Sequence, residues 1–485
     1  MPSTKSIQSI PSISSLIPGM RKPIMILGCS TDAGKSFLVA ALCRDFSNRG
    51  LRVAPFKAQN MSNNAAVTRD GLEIGRAQYF QALAARAEPE VRMNPVLLKP
   101  SADTFSQVIV MGKPAPEISA IPWLERRTHL WPTVCEALQG LIADFDQVVI
   151  EGAGSPAEIN LRESDIVNMA VALECQADVY LAVDIDRCGA FAHLLGTWHC
   201  LKPEERALVR GFILNKFRGD QALLGNAMDW LLEQTGIPTV AIVPTIPNTL
   251  PEEDTLHHRA QPGLREINIA LIAYPYASNL DEFDALVHET SVQVVPVREI
   301  ASLDDFHAII LPGSKNTAES LRYLRENGLA AEIVRAARQG TAVLGVCGGM
   351  QMLGRQILDP NALEGGDLPG LGLLDLSTTL EPDKTTRQRE VGWVEGGRVR
   401  GYEIHHGRTE PGPAAQVHLE DNLGWRQENV CGVYLHGLME NTAYRQHYLA
   451  RLGWKGRAED WDLRLDAEID RVTRKIAETG WFEKL

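Results

Sequence analysis

The chain has 485 residues, of which 45% are hydrophobic and 22% are charged, and its formal net charge is -13. This length favours two to four domains, and the composition is typical of a globular protein rather than a disordered or fibrous one. The acidic balance argues against nucleic acid as the main partner, because phosphate binding requires a clustered basic surface.

The eight cysteines show no C-x-x-C metal spacing, and disulfide frameworks belong to small secreted domains. We therefore interpret them as reduced thiols and expect a cytoplasmic protein. Residues 1–21 mix Ser, Pro and Ile without the continuous apolar core of a signal peptide, so we predict a loose N-terminal tail. No window reaches the roughly 18 consecutive apolar residues of a membrane span.

Short apolar runs typical of buried strands alternate with longer amphipathic stretches over residues 22–245. This βαβ rhythm predicts an α/β domain with a mainly parallel, doubly wound sheet. The predicted strands lie in PIMILG, LRVAPF, QVVIEGAG, DVYLAVD, RGFILNK and PTVAIVP.

The segment GCSTDAGKS, residues 28–36, follows the first predicted strand and opens a helix, as a phosphate-binding loop must. We expect backbone amides of Asp32, Ala33 and Gly34 to surround the phosphates of ATP. Lys35 would add a positive charge there, and Ser36 would offer its hydroxyl to Mg²⁺. Five residues rather than four separate the two glycines, and the alternative reading is a glycine-rich strand-to-helix turn.

Two acidic residues at the ends of predicted strands are candidates for a second Mg²⁺ ligand. Glu151 in VVIEGAG is the first choice, since its strand would deliver it beside the phosphate loop. Asp184 in LAVDIDR is the second candidate, and the alternative for this residue is to cap the helix that follows.

Polar side chains are concentrated in PFKAQNMSNNAAV, directly after the second predicted strand. Ligands of open α/β sheets bind at the carboxyl edge, where this segment would lie. We expect substrate contacts here, and a solvated turn rich in Asn is the alternative. The candidate substrate-binding residues are Lys57, Gln59, Asn60 and Asn64.

The stretch PTIPNTLPEEDTLHHRAQPG is rich in Pro and charge and lacks apolar periodicity, which predicts a linker over residues 246–265. The runs INIALIA, VQVVPV, HAIILPG and TAVLGVCGG then predict a second parallel-sheet domain over residues 266–450. Residues 451–485 contain the run AEIDRVTRKIAETGWF, which predicts a C-terminal helical extension on the surface.

In VLGVCGGMQMLG, Cys347 stands between a predicted apolar strand and an apolar helix. The next two glycines leave room for a sharp turn that exposes the sulfur. A thiolate at a helix N-terminus has a lowered pKa, which favours attack on the amide carbon of glutamine. The alternative is a buried structural cysteine.

An oxyanion formed at this cysteine needs two amide donors. We predict them at Gly348, after the nucleophile, and near Gly313 in LPGSKNT, where a plain turn is the alternative. The base must come from downstream, and GVYLHGLME offers His436 after a short apolar strand. His405 and His406 in YEIHHG are rivals for this role.

The segments around Cys347 and His436 resemble class I glutamine amidotransferases, although Leu438 stands where that class usually has an acid. The phosphate loop is similar to that of dethiobiotin synthetase, and KAQNMSNN resembles the matching segment of cobyric acid synthases. With all four motifs in family order, residues 22–450 are identified as resembling the cobyric acid synthases. Their members share the missing acid, so another acceptor must orient His436.

This resemblance implies a dethiobiotin synthetase-like ATPase domain and a class I glutaminase domain of flavodoxin-like fold. It implies that Asn215 in ILNKFRGD contacts adenine, with a loop Asn in a turn as the alternative. It further implies amidation of the b, d, e and g carboxylates of adenosylcobyrinic acid a,c-diamide, a corrinoid, through acyl phosphates. The reagents would be ATP, Mg²⁺ and glutamine, whereas the residues alone indicate only ATP-dependent amidation.

Two other functions stay open at this point. The sister a,c-diamide synthase is opposed by KAQNMSNN, because that enzyme carries a different sequence there. A regulatory ATPase with an inactive glutaminase domain is opposed by the intact Cys347 and His436. The sequence also leaves open whether the chain forms a homo-oligomer.

Overall fold

The structure is a computed structural model that describes residues 21–102, 105–251, 265–299 and 302–485. The predicted N-terminal tail and most of the predicted linker lie outside these residues. No helix in the described part of the chain combines the length and apolar character needed to cross a membrane.

The first half contains a six-stranded sheet in which all strands are parallel. The prediction of a doubly wound α/β domain is confirmed, and each predicted strand forms. Apolar clusters cover both faces of the sheet, which explains why its strands are continuous apolar runs. In sheet order the strands are Thr239–Pro244, Val209–Phe217, Asp178–Asp184, Ile24–Gly28, Gln147–Glu151 and Val53–Phe56.

The second half contains a seven-stranded sheet whose first five strands are parallel. The last two strands are antiparallel and were not predicted. The mainly parallel architecture expected for this half is confirmed. In sheet order the strands are Val292–Val297, Ile267–Ile272, Ala308–Leu311, Ala342–Val346, Val430–Val433, Gly424–Gln427 and Gln416–Leu419.

Helices alternate with the parallel strands along the chain, as expected for βαβ units. The α-helices are Lys35–Asn48, Arg76–Ala84, Pro116–Ser119, Arg127–Asp144, Met169–Cys175, Ala190–Cys200, Pro203–Arg206, Ala227–Thr235, Asp284–Val287, Thr317–Glu326, Leu329–Arg338, Gly348–Leu353, Thr442–Arg451 and Trp461–Ala477. The 3-10 turns are Val91–Met93, Trp123–Glu125, Ile159–Ser164, Gln221–Leu224, Leu280–Phe283, Leu438–Glu440 and Phe482–Lys484.

Further strands lie outside the two main sheets, and one hairpin among them contacts the other half of the chain. A long antiparallel hairpin, Leu376–Gly392 with Arg398–Pro411, extends from the second half. Its Gln388 side chain donates to the carbonyl of Val67 in the first half at 2.9 Å. The remaining short strands are Gln59–Met61, Ala65–Val67, Glu73–Gly75, Val96–Ala102, Phe105–Val110, Lys113–Pro114, Ala277–Ser278, Gly313–Ser314, Gln356–Leu358 and Leu368–Pro369.

The C-terminal helix Trp461–Ala477 packs on the first half and not only on the domain that precedes it. Its apolar residues Ile469, Val472 and Ile476 join the core cluster on one face of the six-stranded sheet. The fully buried Arg44 pairs with Asp466 at 2.5 Å and with Asp470 at 3.3 Å. The predicted helix is therefore present, and the chain returns to the half in which it began.

Candidate active sites

The segment around Cys347 forms a sharp turn between the strand Ala342–Val346 and the helix Gly348–Leu353. Cys347 itself has φ 51° and ψ -108°, a conformation that L-residues rarely adopt and that stores strain at functional sites. A Cβ on Gly349 would lie 2.0 Å from the Leu311 carbonyl oxygen. Glycine is therefore required there, because the turn approaches the neighbouring backbone so closely.

The imidazole of His436 is held between a carboxylate and the Cys347 thiol. Its Nδ1 lies 2.9 Å from Oε1 of Glu282, whose Oε2 accepts from the Gly437 amide, also at 2.9 Å. His436 also interacts with Cys347, whose Sγ donates to the Ile404 carbonyl at 3.7 Å. Cys347, His436 and Glu282 are 6%, 1% and 2% exposed, so the three groups interact away from bulk water. They have the order of a nucleophile, its base and an orienting acid.

The protonation of His436 follows from its surroundings. Burial lowers its pKa, but the Glu282 carboxylate and the hydrogen bond with Cys347 raise it, to about 10 overall. An imidazolium beside a thiol favours the thiolate, which is the nucleophilic form of cysteine. The carboxylate of Glu282 therefore favours a protonated His436 next to the nucleophile.

Sequence reasoning did not identify Glu282. It lies in the 3-10 turn Leu280–Phe283, separated from His436 by 154 positions in sequence. The local sequence DEFD has three acids, and only the fold selects the second. A weak signal was available, because DEFD comes soon after the first strand of its domain, on the side of the sheet where ligands bind. Leu438, at the usual acid position, is buried in the core instead.

The two rival histidines are bonded within their own surroundings. The ring nitrogens of His405 lie 2.9 Å from the Gly407 carbonyl and 3.1 Å from Glu403 Oε2. His406 Nδ1 lies 3.0 Å from the Glu381 carbonyl oxygen, and burial, with nearby lysines, lowers its pKa to about 4. Both residues line the Cys347 cavity, but the histidine that interacts with the thiol is His436.

The two glycines predicted to supply oxyanion donors pack against this site. A Cβ on Gly313 would lie 3.0 Å from His436 Cε1, and one on Gly348 would lie 2.9 Å from the Ser314 amide nitrogen. Gly348 is the first residue of its helix, so its amide has no intrahelical acceptor. Their role as oxyanion donors stays a prediction.

Residues from both halves of the chain line the cavity that contains Cys347. Asn63 and Lys99 come from the first half, while Lys315 and Lys384 come from the second. Lys99 and Lys384 both contact the buried carboxylate of Glu73. The pKa of Lys99 is lowered to about 7, mainly by burial and also by Lys384 and Lys315, while Glu73 opposes this shift. The glutaminase candidate therefore opens directly onto the first half.

The phosphate loop precedes the helix Lys35–Asn48, with Gly34 at φ 86°. The Lys35 ammonium donates to the carbonyls of Ser30 at 3.3 Å and Gly154 at 3.4 Å. Asn215, predicted to contact adenine, donates its side-chain amide to the Ala33 carbonyl at 2.8 Å. This hydrogen bond supports the backbone of the loop. The adenine contact stays a prediction.

Glu151 lies at the centre of a buried polar cluster beside the phosphate loop. Its Oε1 accepts from Ser36 Oγ at 2.9 Å and from Lys57 Nζ at 2.9 Å, and Oε2 accepts from Gln81. Burial raises the pKa of Glu151, but Lys57 and the hydrogen bonds lower it overall. The two predicted Mg²⁺ ligands are therefore adjacent, and a hydroxyl with a carboxylate is an oxygen donor set that suits Mg²⁺.

Asp184, the second metal candidate, ends its strand in a different environment. One oxygen accepts from the Asp186 amide at 3.0 Å, and the other pairs with Lys216 at 3.1 Å. The following helix begins only at Ala190, so this carboxylate stabilises a turn rather than a helix N-terminus. Its metal role stays a prediction.

The predicted substrate residues lie in different places, and Lys57 is the one that contacts Glu151. Gln59 lines a cavity of about 330 Å³, together with Gly154, whose carbonyl accepts from Lys35. Asn60 is buried. Asn64 lies at the contact with the second half, where its Oδ1 accepts from the Asn279 amide at 2.7 Å. A corrinoid contact by any of these residues stays a prediction.

Both halves of the chain match known protein families. Residues 24–255 match the family described as "CobQ/CobB/MinD/ParA nucleotide binding domain", and residues 268–444 match "CobB/CobQ-like glutamine amidotransferase domain". A cobyric acid synthase of Deinococcus radiodurans is 56% identical over 466 residues, which cover 92% of this chain and 97% of that protein. One of Paracidovorax citrulli is 50% identical over 490 residues, with 95% and 97% coverage.

Proposed function

Because this chain belongs to the cobyric acid synthase family, we propose that it amidates the b, d, e and g carboxylates of adenosylcobyrinic acid a,c-diamide. The chain is a glutamine-dependent amidotransferase with a nucleotide-binding domain. The observation that carries the proposal is the Cys347, His436 and Glu282 assembly, which opens onto the half that contains the phosphate loop.

The glutaminase reaction begins with attack of the Cys347 thiolate on the amide carbon of glutamine. Amides of Gly348 and Gly313 stabilise the oxyanion, and the His436 imidazolium gives its proton to the leaving nitrogen, which departs as ammonia. The thioester is then hydrolysed to glutamate by a water that His436 deprotonates. Glu282 keeps the imidazole aligned and stabilises its charged form.

The synthetase reaction consumes this ammonia. The substrate carboxylate attacks the γ-phosphorus of ATP, forming an acyl phosphate and releasing ADP, and ammonia then displaces phosphate to leave the amide. Lys35 and the loop amides hold the phosphates in line for transfer. Ser36 and Glu151 would hold Mg²⁺, which neutralises phosphate charge when bound.

The cavity of about 330 Å³ beside the phosphate loop suits one edge of a large macrocycle. Met61, Trp123 and Leu161 line it and expose 50%, 37% and 39% of their surface, which suits an apolar ring. Arg127 and Arg162 line the same cavity and would attract peripheral carboxylates.

The test is to incubate the purified chain with ATP, Mg²⁺, glutamine and adenosylcobyrinic acid a,c-diamide, and to follow the corrinoid by mass spectrometry. Four successive exchanges of a hydroxyl for an amino group are expected, with one ATP consumed for each. Amidation of only the a and c positions of the fully acidic macrocycle would assign the sister activity instead. Glutamine hydrolysis without corrinoid turnover would reject both substrates.

A further inference from the structure

Two hydrogen bonds that involve Asn64 and Asn279 connect the turn that carries Glu282 to the first half of the chain. The Asn279 amide donates to Asn64 Oδ1 at 2.7 Å, and the Ala65 amide donates to Asn279 Oδ1 at 2.9 Å. Asn279 has φ 56° and caps the 3-10 turn Leu280–Phe283. Contacts from the other domain therefore help to hold Asn279 in this left-handed conformation.

Arg76, also in the first half, bridges the two segments that supply the acid and the base. Its Nε donates to Oδ2 of Asp281, the residue before Glu282, and its Nη2 donates to Glu440 Oε1 at 2.7 Å. Glu440 ends the 3-10 turn that follows His436 by two residues. One guanidinium thus fixes the spacing between these segments, which suits its rigid fork of donors.

The charges at this junction also require Arg76. The side chains of Asp281 and Glu440 are 4% and 24% exposed, and that of Arg76 is 15% exposed. Burial raises the pKa of Glu440; Arg76 opposes this shift, whereas Asp281 and Glu282 raise the pKa further. Without the guanidinium, these carboxylates would repel one another beside the imidazole. The free-energy cost would be large, because buried charges without a partner are strongly destabilising.

We propose that Arg76 is a positioning residue for the glutaminase site, acting through Asp281 and Glu440 to hold Glu282 at His436. The asparagine pair Asn64 and Asn279 supports the same turn. Glutamine hydrolysis is thereby coupled to the docking of the synthetase half, although the Cys347 nucleophile lies entirely in the other half. The proposal rests on the proposed glutaminase function.

The test compares full-length Arg76→Met, Arg76→Lys and Asp281→Asn with the wild type. Glutamine hydrolysis and ammonia-dependent synthesis are measured separately, each with kcat and KM. Arg92→Met is the matched control, because Arg92 also bridges two carboxylates, Glu90 and Asp144, but does so within the first half. Melting temperatures show whether each variant folds.

Arg76→Met is expected to reduce kcat for glutamine hydrolysis about 100-fold with little change in KM, since a small misplacement of catalytic groups has this effect. Ammonia-dependent synthesis stays within about twofold of the wild type, as do both activities of Arg92→Met. Arg76→Lys recovers part of the loss, because it restores the charge without the fork. Asp281→Asn is also expected to lower kcat for glutamine hydrolysis, because it removes the carboxylate that Arg76 contacts.

Equal glutaminase kcat in wild type, Arg76→Met and Asp281→Asn would overturn the proposal. So would parallel losses of both activities and of melting temperature in all the variants, because these indicate general destabilisation. Glutamine hydrolysis that persists in Cys347→Ala would instead reject the proposed function itself. The two failures are therefore distinguishable.

Discussion

The two candidate sites of this chain are assembled in different ways. Around the phosphate loop, the polar groups contact one another or nearby backbone carbonyls: Lys35 donates to Ser30 and Gly154, and Ser36 donates to Glu151. At the glutaminase site, groups from distant segments already stand in reacting order, as the Glu282 and His436 contact shows. The first site must exchange its internal contacts for phosphates, whereas the second needs only its substrate.

This difference follows from the groups that each kind of chemistry requires. Phosphate binding uses consecutive backbone amides and one lysine, which a single loop can supply. Nucleophilic catalysis needs three side chains in a fixed order, so it depends on parts of the fold that are far apart in sequence. Substitutions should therefore separate the two sites cleanly by the nitrogen source that each variant can still use.

The largest expected effect is that of Cys347→Ala. Glutamine-dependent synthesis and glutamine hydrolysis should fall about 10⁴-fold or more, because no other group can form the thioester. Synthesis from ammonium salt at raised pH should remain within about twofold of the wild type, since the acyl phosphate can react with free ammonia. Parallel assays with the two nitrogen sources decide this, and loss of the ammonia-dependent activity in a folded variant would contradict it.

Lys35→Ala should produce the complementary pattern. Synthesis should fall about 10³-fold with either nitrogen source, because the lysine charge that neutralises the transferred phosphate is lost. Glutamine hydrolysis should continue, since no residue of the Cys347 cavity changes. Lys113, an exposed lysine of the same half, provides a control variant, Lys113→Ala, with wild-type rates. Near wild-type amidation by Lys35→Ala would reject the phosphate-loop assignment.

A third substitution, Glu282→Gln, tests the acid that only the fold revealed. It keeps the shape of the side chain but removes the charge that holds the imidazolium, so kcat for glutamine hydrolysis should fall about 100-fold. Ammonia-dependent synthesis should be unchanged, as in Cys347→Ala. Glu289→Gln would be a poor control because Glu289 pairs with the buried Arg445, whereas the exposed Glu326→Gln is suitable. Full glutaminase activity in Glu282→Gln would mean that His436 needs no acid.

The sequence predicted the architecture well where one physical signal dominates. Runs such as INIALI are apolar at almost every position because strands of a parallel sheet are buried on both faces. The hairpin strand Leu376–Gly392 escaped prediction, since LSTTLEPDKTTRQREVG is largely polar and carries no sustained alternation. The helix Trp461–Ala477 was predicted, but its packing on the first half depends on tertiary contacts such as that of Arg44 with Asp466.

The sites followed the same rule. Residues within one motif, such as Lys35 and Ser36, could be named because the loop geometry is local. Glu282 could not be singled out, because DEFD offers three acids and its contact with a residue 154 positions away depends on the fold. For Asn64 the residue could be named from its motif, but its contact could not. Its motif identified it as important, but the structure gives its side-chain oxygen to Asn279, and no motif states which partner a polar side chain will contact.

The smallest expected effect is on stability, and it concerns the pH dependence of the Glu282 and His436 pair. The pKa of His436 in the folded chain, about 10, lies above its ordinary value of 6.5. A group with a raised folded pKa stabilises the protein fully below pH 6.5 and loses this contribution as the pH rises towards 10. In Glu282→Gln the attraction of the carboxylate is gone, so burial lowers the pKa of His436 and only Cys347 opposes that shift. The wild type should therefore lose stability relative to this variant between pH 6.5 and 9, by at most roughly 1.4 kcal/mol per pH unit.

Melting temperatures of both proteins at each pH provide the measurement, because their difference cancels all groups that titrate alike in both. A difference that stays constant over this range would show that the imidazole is neutral in the folded chain, and the thiolate would then need another source of stabilisation.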